Sequence, residues 1–220
     1  MSIRAIIFDL DGTLLDTLED IANSMNQALN KLGFPSHLTR SYKTLVGNGV
    51  SELARQALPN GTSQEVIDEC LLLMRNFYQD QYNQHTQPYP GIVELLQKLK
   101  RLGPKLAVLS NKPHEFTEKI VNEYFPPETF EKIWGAKKDI PHKPHPASAL
   151  ALMAELKVEP HETMLVGDSA VDVQTAINAG ITPIAVLWGF RSLDELKRAG
   201  AQLIVNCPIE LFSLIQNLER

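Results

Sequence analysis

Two rhythms of apolar and polar positions divide this chain. From residue 18 to residue 32 the apolar positions Leu18, Ile21, Met25, Ala28 and Leu32 recur at steps of three and four, one face of a helix, and Gly33 follows as a stop. The same spacing predicts helices over about 39–45, 51–58 and 63–84, the last with Val66, Cys70, Leu73 and Phe77 on one stripe. Residues 17–87 therefore read as all-helical. After the turn signal Pro88-Tyr89-Pro90-Gly91, short apolar runs alternate with helical patterns, and strands are predicted at 106–109, 133–135, 164–166, 184–187 and 203–205. That alternation implies an α/β fold, a doubly wound parallel sheet with helices on both faces. An earlier strand, Ile6, Ile7 and Phe8, belongs to the same sheet. Residues 1–16 and 88–220 are then the α/β core, and 17–87 are an inserted all-helical domain. It is placed to act as a lid, with hinges near 16–18 and 87–90.

Composition narrows the class without changing this architecture. At 220 residues the chain can bury a full core, and 44% hydrophobic with 21% charged residues is ordinary for a water-soluble globular protein. A formal net charge of -5, with no basic run interleaved with aromatics, argues against nucleic acid as a partner. Neither a secretory leader nor a membrane-spanning run is visible, so a cytoplasmic location away from membranes is expected. Cys70 and Cys207 form no CxxC and read as reduced core residues.

The candidate chemistry begins where the first strand ends, in Asp9-Leu10-Asp11-Gly12-Thr13. Side chains at i and i+2 of an extended segment share a face, so Asp9 and Asp11 should emerge side by side in the crevice beyond the carboxyl end of the sheet. Paired carboxylates repel unless a cation or a shared proton relieves them, which points to a hard, oxygen-seeking metal such as Mg²⁺. Gly12 permits a sharp turn or the close approach of an anion. Asp-Gly is also a common turn dipeptide, whereas a calcium loop fits poorly because its glycine would come later and a glutamate should close it.

Three later strand ends carry matching polar groups. Ser110-Asn111-Lys112 offers a hydroxyl, an amide and main-chain N–H groups at the start of a helix near Pro113, all able to donate to phosphate oxygens. Lys143, between His142 and Pro144-His145-Pro146, can aim one ammonium at the site, while His142 and His145 read as solvent-facing. Gly167-Asp168 closes a further strand, and Asp172 follows one helical turn after Asp168, so both can face one point. Singly, Ser110 could be a helix cap, Lys143 a surface lysine, and Asp168 or Asp172 a helix-dipole carboxylate. Their coincidence at four strand ends favours one site.

Taken together, these motifs resemble the haloacid dehalogenase superfamily: an Asp-x-Asp-x-Thr loop, a strand-end Ser, a Lys, and a Gly-Asp-x-x-x-Asp loop, in this order along the whole chain. The inserted helices are similar to the cap that follows the first motif in one large subgroup, and the core implied is Rossmann-like. Leu45-Val46-Gly47-Asn48-Gly49, Ser110-Asn111-Lys112-Pro113, Lys143-Pro144-His145-Pro146 and Trp188-Gly189-Phe190 look like the bacterial phosphoglycolate phosphatase family within it. The resemblance implies a Mg²⁺-dependent phosphatase for a small phosphorylated metabolite, most readily 2-phosphoglycolate, acting as a monomer or homodimer. Asp11 separates the chain from the dehalogenases and the phosphonate-cleaving relatives, whose second position holds no acid. A β-phosphoglucomutase-like mutase, a phosphatase for another small ester or pyrophosphate, and a non-catalytic phosphate-binding protein are the alternatives.

The implied roles follow from the same resemblance. Asp9 is the nucleophile and Asp11 the acid that becomes the base. Mg²⁺ is held by Asp9, the main-chain carbonyl of Asp11, and Asp168, with Asp172 supporting that shell. Gly12, Ser110, Asn111 and Lys143 receive the phosphate. Gly47, Asn48 and Gly49 of the cap, together with Arg191, are candidates for substrate selection, and Arg55 is a further candidate grip for an anion. For either arginine a surface salt bridge is the alternative.

Overall fold

A computed structural model describes residues 3–218. In chain order the elements are β1 (Ala5–Phe8), β2 (Leu15–Asp16), α1 (Leu18–Lys31), α2 (Tyr42–Leu45), α3 (Val50–Ala57), α4 (Gln64–Gln81), β3 (Gln87–Pro88), α5 (Ile92–Leu102), β4 (Lys105–Pro113), α6 (His114–Tyr124), β5 (Lys132–Ala136), α7 (Ala147–Leu156), β6 (Thr163–Gly167), α8 (Ala170–Ala179), β7 (Thr182–Val186), α9 (Leu193–Arg198), β8 (Leu203–Val205) and α10 (Pro208–Leu218). The main sheet has six parallel strands in the order β5-β4-β1-β6-β7-β8. The chain winds outward from β1 through β4 to β5, then returns to β1's other side at β6. The switch point, where such sheets open a binding crevice, therefore lies at the carboxyl ends of β1, β4 and β6.

The two-residue period of β1 explains why the sheet is covered twice. Ile6 and Phe8 pack with Leu106, Val108, Leu96 and Ile120 on one face, and Ala5 and Ile7 pack with Ala107, Leu109, Leu152 and Ala176 on the other. Both sets are fully or nearly fully buried, so every residue of β1 is apolar. The first polar side chain, Asp9, appears only where the strand leaves the sheet.

Each helix expected in 17–87 is present, with the 39–45 segment divided into a 3₁₀ turn, Thr39–Ser41, and α2. The stripe on α4 differs from the one read in the sequence. Ile67, Cys70, Met74 and Tyr78 are its buried residues, while Leu73 and Phe77 are only partly covered. The reason is the run Leu71-Leu72-Leu73-Met74, which makes much of the helix circumference apolar, so periodicity alone does not choose the buried face. The two chain crossings expected as hinges are paired with each other: β2 and β3 form an antiparallel ribbon, Leu15 opposite Pro88 and Asp16 opposite Gln87. Beside it, the buried Asp20 carboxylate accepts hydrogen bonds from the Thr86 N–H (2.8 Å) and hydroxyl (2.7 Å) and from the His85 N–H.

Cys70 is buried with its Sγ 3.7 Å from Met25 Sδ, whereas Cys207 is only partly covered; both are unpaired. His142 and His145 are exposed. No helix among the described residues is long and apolar enough to cross a membrane.

Candidate active site

Four carboxylates and two ammonium groups meet at the switch point. Asp9 leaves β1, Asp168 follows β6, and Asp172 lies in the first turn of α8; a carboxylate oxygen from each of these three falls within 4.8 Å of the others. All three are buried. Lys143 Nζ stands 2.8 Å from Asp9 Oδ1 and 2.7 Å from Asp172 Oδ1, and donates to the Leu109 carbonyl at 2.9 Å. Lys112 Nζ donates to both oxygens of Asp11 at 3.0 Å, and the Thr17 hydroxyl donates to Oδ1 at 2.7 Å.

Charge does not balance in this cluster. Two ammoniums cannot neutralise four carboxylates, and burial forbids water from doing so. Burial, reinforced by Asp172 and opposed by Lys143, pushes the Asp9 carboxyl up to about 7, and burial beside Asp172 and Asp9 raises Asp168 well above the usual carboxylate range. Asp9 Oδ1 is also buried, and it shares the Lys143 ammonium with Asp172. A hard divalent cation fits this set: its charge matches the deficit and its preference is for oxygen. Asp172 suits support better than direct ligation, because Lys143 takes Oδ1 and the Ser169 N–H and hydroxyl take Oδ2.

The structure places the residues singled out for phosphate differently from one another. Ser110 is buried beside the site, and its Oγ accepts from the Lys112 N–H at 3.2 Å; it caps no helix, because β4 extends through Pro113 and α6 begins at His114. The Asn111 amide is already committed: Nδ2 donates to the carbonyls of Lys143 (2.9 Å) and Gly47 (3.0 Å), and Oδ1 accepts from the Lys143 N–H (2.9 Å). Asn111 thus clamps the main chain of Lys143 and tethers a carbonyl of the helical insertion. The Gly12 N–H is spent on the Leu15 carbonyl at 2.9 Å, so it offers no donor to an anion. Gly12 is needed for space: at φ 86° it packs against the Asp168 carboxylate, where a Cβ would overlap.

Gly47 and Gly49 line the cavity above these groups, but Asn48 is exposed and does not. Arg191 is not a surface residue. Only 9% of its side chain is exposed; it donates to the Val46 carbonyl at 2.7 Å and lies 3.6 Å from Glu195. Arg55 pairs with Glu52 at 3.6 Å on the surface and does not line the cavity.

Three roles escaped the sequence reading. Lys112 stands within a recognised motif, but its bond to Asp11 spans 101 residues of chain and leaves no local signal. Tyr78 of α4 lays its ring 4.7 Å from Lys112 Nζ and closes the site from above. The segment after β7 fixes the floor: Trp188 Nε1 donates to the Thr13 carbonyl at 2.9 Å and the Phe190 N–H to Asp168 Oδ2 at 2.7 Å. Between them Gly189 touches the Gly12 carbonyl and the Asp168 side chain, with no room for a Cβ. Gly189→Ala is expected to cost about 1–3 kcal/mol of stability through overpacking and to weaken divalent-ion binding about 10–100-fold by displacing Asp168. Thermal unfolding with and without Mg²⁺ measures both, and a variant with unaltered melting and metal response would refute it.

The comparisons with known proteins agree with this arrangement. A family model described as haloacid dehalogenase-like hydrolase matches residues 6–186. A protein of Pseudomonas syringae pv. tomato named phosphoglycolate phosphatase is 34% identical over 209 residues, covering 92% of this chain and 76% of its own length. Another of that name, from Aquifex aeolicus, is 33% identical over 192 residues, covering 87% of this chain and 88% of its own. A crystal structure from Lactobacillus delbrueckii subsp. bulgaricus, provisionally named a phosphoglycolate phosphatase, matches with a TM-score of 0.93 at 33% identity, covering 98% of this chain and 99% of that one.

Proposed function

The chain belongs to the haloacid dehalogenase-like hydrolases, and from that premise we propose that it is a Mg²⁺-dependent phosphatase of small phosphate monoesters. The observation that carries this reading is the convergence of the buried Asp9, Asp168 and Asp172 carboxylates, an oxygen of each within 4.8 Å of the others, with Asp9 and Asp168 lining the cavity. 2-Phosphoglycolate, named for the relatives, is the first substrate to test.

Asp9, Asp168 and the main-chain carbonyl of Asp11 would hold Mg²⁺, with Asp172 behind them; bound there it would offset the carboxylate charge and polarise a phosphoryl oxygen. Asp9 attacks phosphorus in line, forming an aspartyl phosphate as the bond to the leaving oxygen breaks. Asp11 gives that oxygen a proton and later takes one from the water that cleaves the intermediate. Ser110 directs its hydroxyl proton at a phosphoryl oxygen. Lys143 neutralises Asp9 and Asp172 from beneath, and Asn111 keeps it there. Residues 17–87 serve as a cap domain over the core formed by 1–16 and 88–220, and exclude water during the first step.

Phosphate release with Mg²⁺ from 2-phosphoglycolate, β-glucose 1-phosphate and pyrophosphate tests the reading. Release from 2-phosphoglycolate supports it, absence of release from every phosphate ester tried sinks it, and glucose 6-phosphate from β-glucose 1-phosphate identifies a mutase instead. Metal binding itself should be linked to protons. Because Asp9 in the metal-free chain is raised to about 7, it carries a proton over part of the range between the usual carboxylate values and neutrality, and a cation must displace it. Mg²⁺ affinity is therefore expected to rise with pH up to about 7, with protons released on binding. Calorimetry in buffers of different ionisation enthalpy checks this; identical heats in all of them would contradict it.

A further inference from the structure

Resting on the phosphatase reading, we infer that Arg191 selects the substrate: its guanidinium receives a carboxylate carried by the leaving group, which makes the site one for small phosphorylated acids. Arg191 lines the cavity with only 9% of its side chain exposed. It directly follows Phe190, whose N–H donates to Asp168 Oδ2 at 2.7 Å, so its main chain is fixed at the carboxylate end of the cavity and not among the hydrocarbon walls of α4. Its charge is felt there, since the guanidinium opposes the rise of the Asp168 carboxyl. A cation near the phosphoryl end suits a leaving group of a few atoms.

The charge of Arg191 is incompletely answered within the chain. Nη2 donates to the Val46 carbonyl at 2.7 Å, a neutral partner, and Glu195 lies 3.6 Å from Nε, beyond hydrogen-bonding distance and one-third exposed. Nη1 has no acceptor among the described residues. Burying a guanidinium without a close counter-charge is costly, and an incoming anion relieves that cost. Of the other cations lining the cavity, Lys112 is held by both oxygens of Asp11, and Arg75 is exposed and paired with Glu115. A carboxylate is the matching group, because the planar guanidinium fork can grip both of its oxygens. Gly47 leaves the approach open: a Cβ there would stand 3.6 Å from Nη2, and no side chain extends from that position across the fork.

The comparison that isolates the charge is 2-phosphoglycolate against its amide, 2-phosphoglycolamide, which has the same shape without the carboxylate. The unaltered protein tests the inference before any substitution. With Mg²⁺ present, its kcat/KM should favour the acid about 10–100-fold, the scale of a hydrogen-bonded pair between charged groups. Arg191→Gln keeps a donor for the Val46 carbonyl and removes the charge, and should reduce that preference to about threefold or less. Arg191→Lys, which restores the charge without the fork, should recover part of it. Calorimetry with the phosphonate mimics 3-phosphonopropionate and its amide should give the same ratios without turnover. An unaltered protein that treats amide and acid alike overturns the inference. So does an Arg191→Gln variant that loses both substrates equally, because Arg191 would then only tie Val46 to the core. Absence of release from every ester overturns the phosphatase reading instead, and the phosphonate ratios then decide whether Arg191 binds a carboxylate.

Discussion

Asp9→Asn is expected to lower phosphate release by at least about 10⁴-fold, the scale on which loss of a nucleophile is felt. The substitution keeps the shape of the side chain and removes the attacking oxygen's charge. It should not unfold the protein, because Lys143 retains the Asp172 carboxylate at 2.7 Å and the Leu109 carbonyl at 2.9 Å. Its effect on stability has a definite sign. Burial raises the Asp9 carboxyl to about 7, so the folded metal-free chain holds a proton there that the unfolded chain has already lost above the usual carboxylate range. Stability from that difference is present at low pH and disappears as pH rises through about 7. Asparagine, which does not titrate, should therefore gain melting temperature relative to the parent as pH rises from 5 to 8, measured without metal. Turnover near that of the parent would remove Asp9 from the chemistry. A stability difference that shrinks with pH would mean that burial is not what governs its proton.

Lys112→Met is expected to lower kcat about 10²-fold or more, as loss of a positioned acid and base does, while KM changes less than about threefold. Both oxygens of Asp11 are held by one ammonium at 3.0 Å, and with it gone only the Thr17 hydroxyl remains to orient the carboxylate. Methionine fills the space beneath Tyr78 and beside the apolar wall, so packing is largely kept. The division between kcat and KM separates two roles. If Lys112 acted by holding the phosphate, KM would rise strongly and kcat would follow less. Arginine at the same position, with a planar fork on a longer stem, should restore part of kcat because it can again grip two oxygens.

Asp9 and Asp168 were legible in the sequence because each sits where an apolar run stops, and the end of a buried strand leaves a polar residue few places to go; Asp172 was legible from its spacing of one helical turn after Asp168. The sheet was legible for the same reason: the 203–205 strand stands where it was read, those at 106–109, 133–135 and 164–166 extend by a few residues, and the one read at 184–187 runs from Thr182 to Val186 and leaves Leu187 outside. Asn111 was singled out for the right neighbourhood, but the task of its amide was not legible. Its amide is consumed by the Lys143 main chain, a pairing that depends on two loops meeting in space. Gly12 likewise stands at the site, but steric room beside Asp168 explains it and a donated N–H does not. On α4 the surplus of apolar residues hid which face is core. Leu71, Leu72 and Met74 line the cavity, so a pattern that looked like an excess of core is in part the wall of that cavity.

The β2–β3 ribbon bears on how such a chain can change over evolutionary time. Because Leu15 and Pro88 face each other, the inserted helices leave and rejoin the sheet at neighbouring points. The closure of that excursion is thus paid once, at two residue pairs and the Asp20 clamp on Thr86, and grows only slowly with the length enclosed. The helices can lengthen, shorten or be exchanged as a cassette while β1, β4 and β6 keep their register, and with them the carboxylates at their ends. On the proposed function, chemistry and the share of substrate choice made by the helices would then lie on parts of one chain that can vary independently.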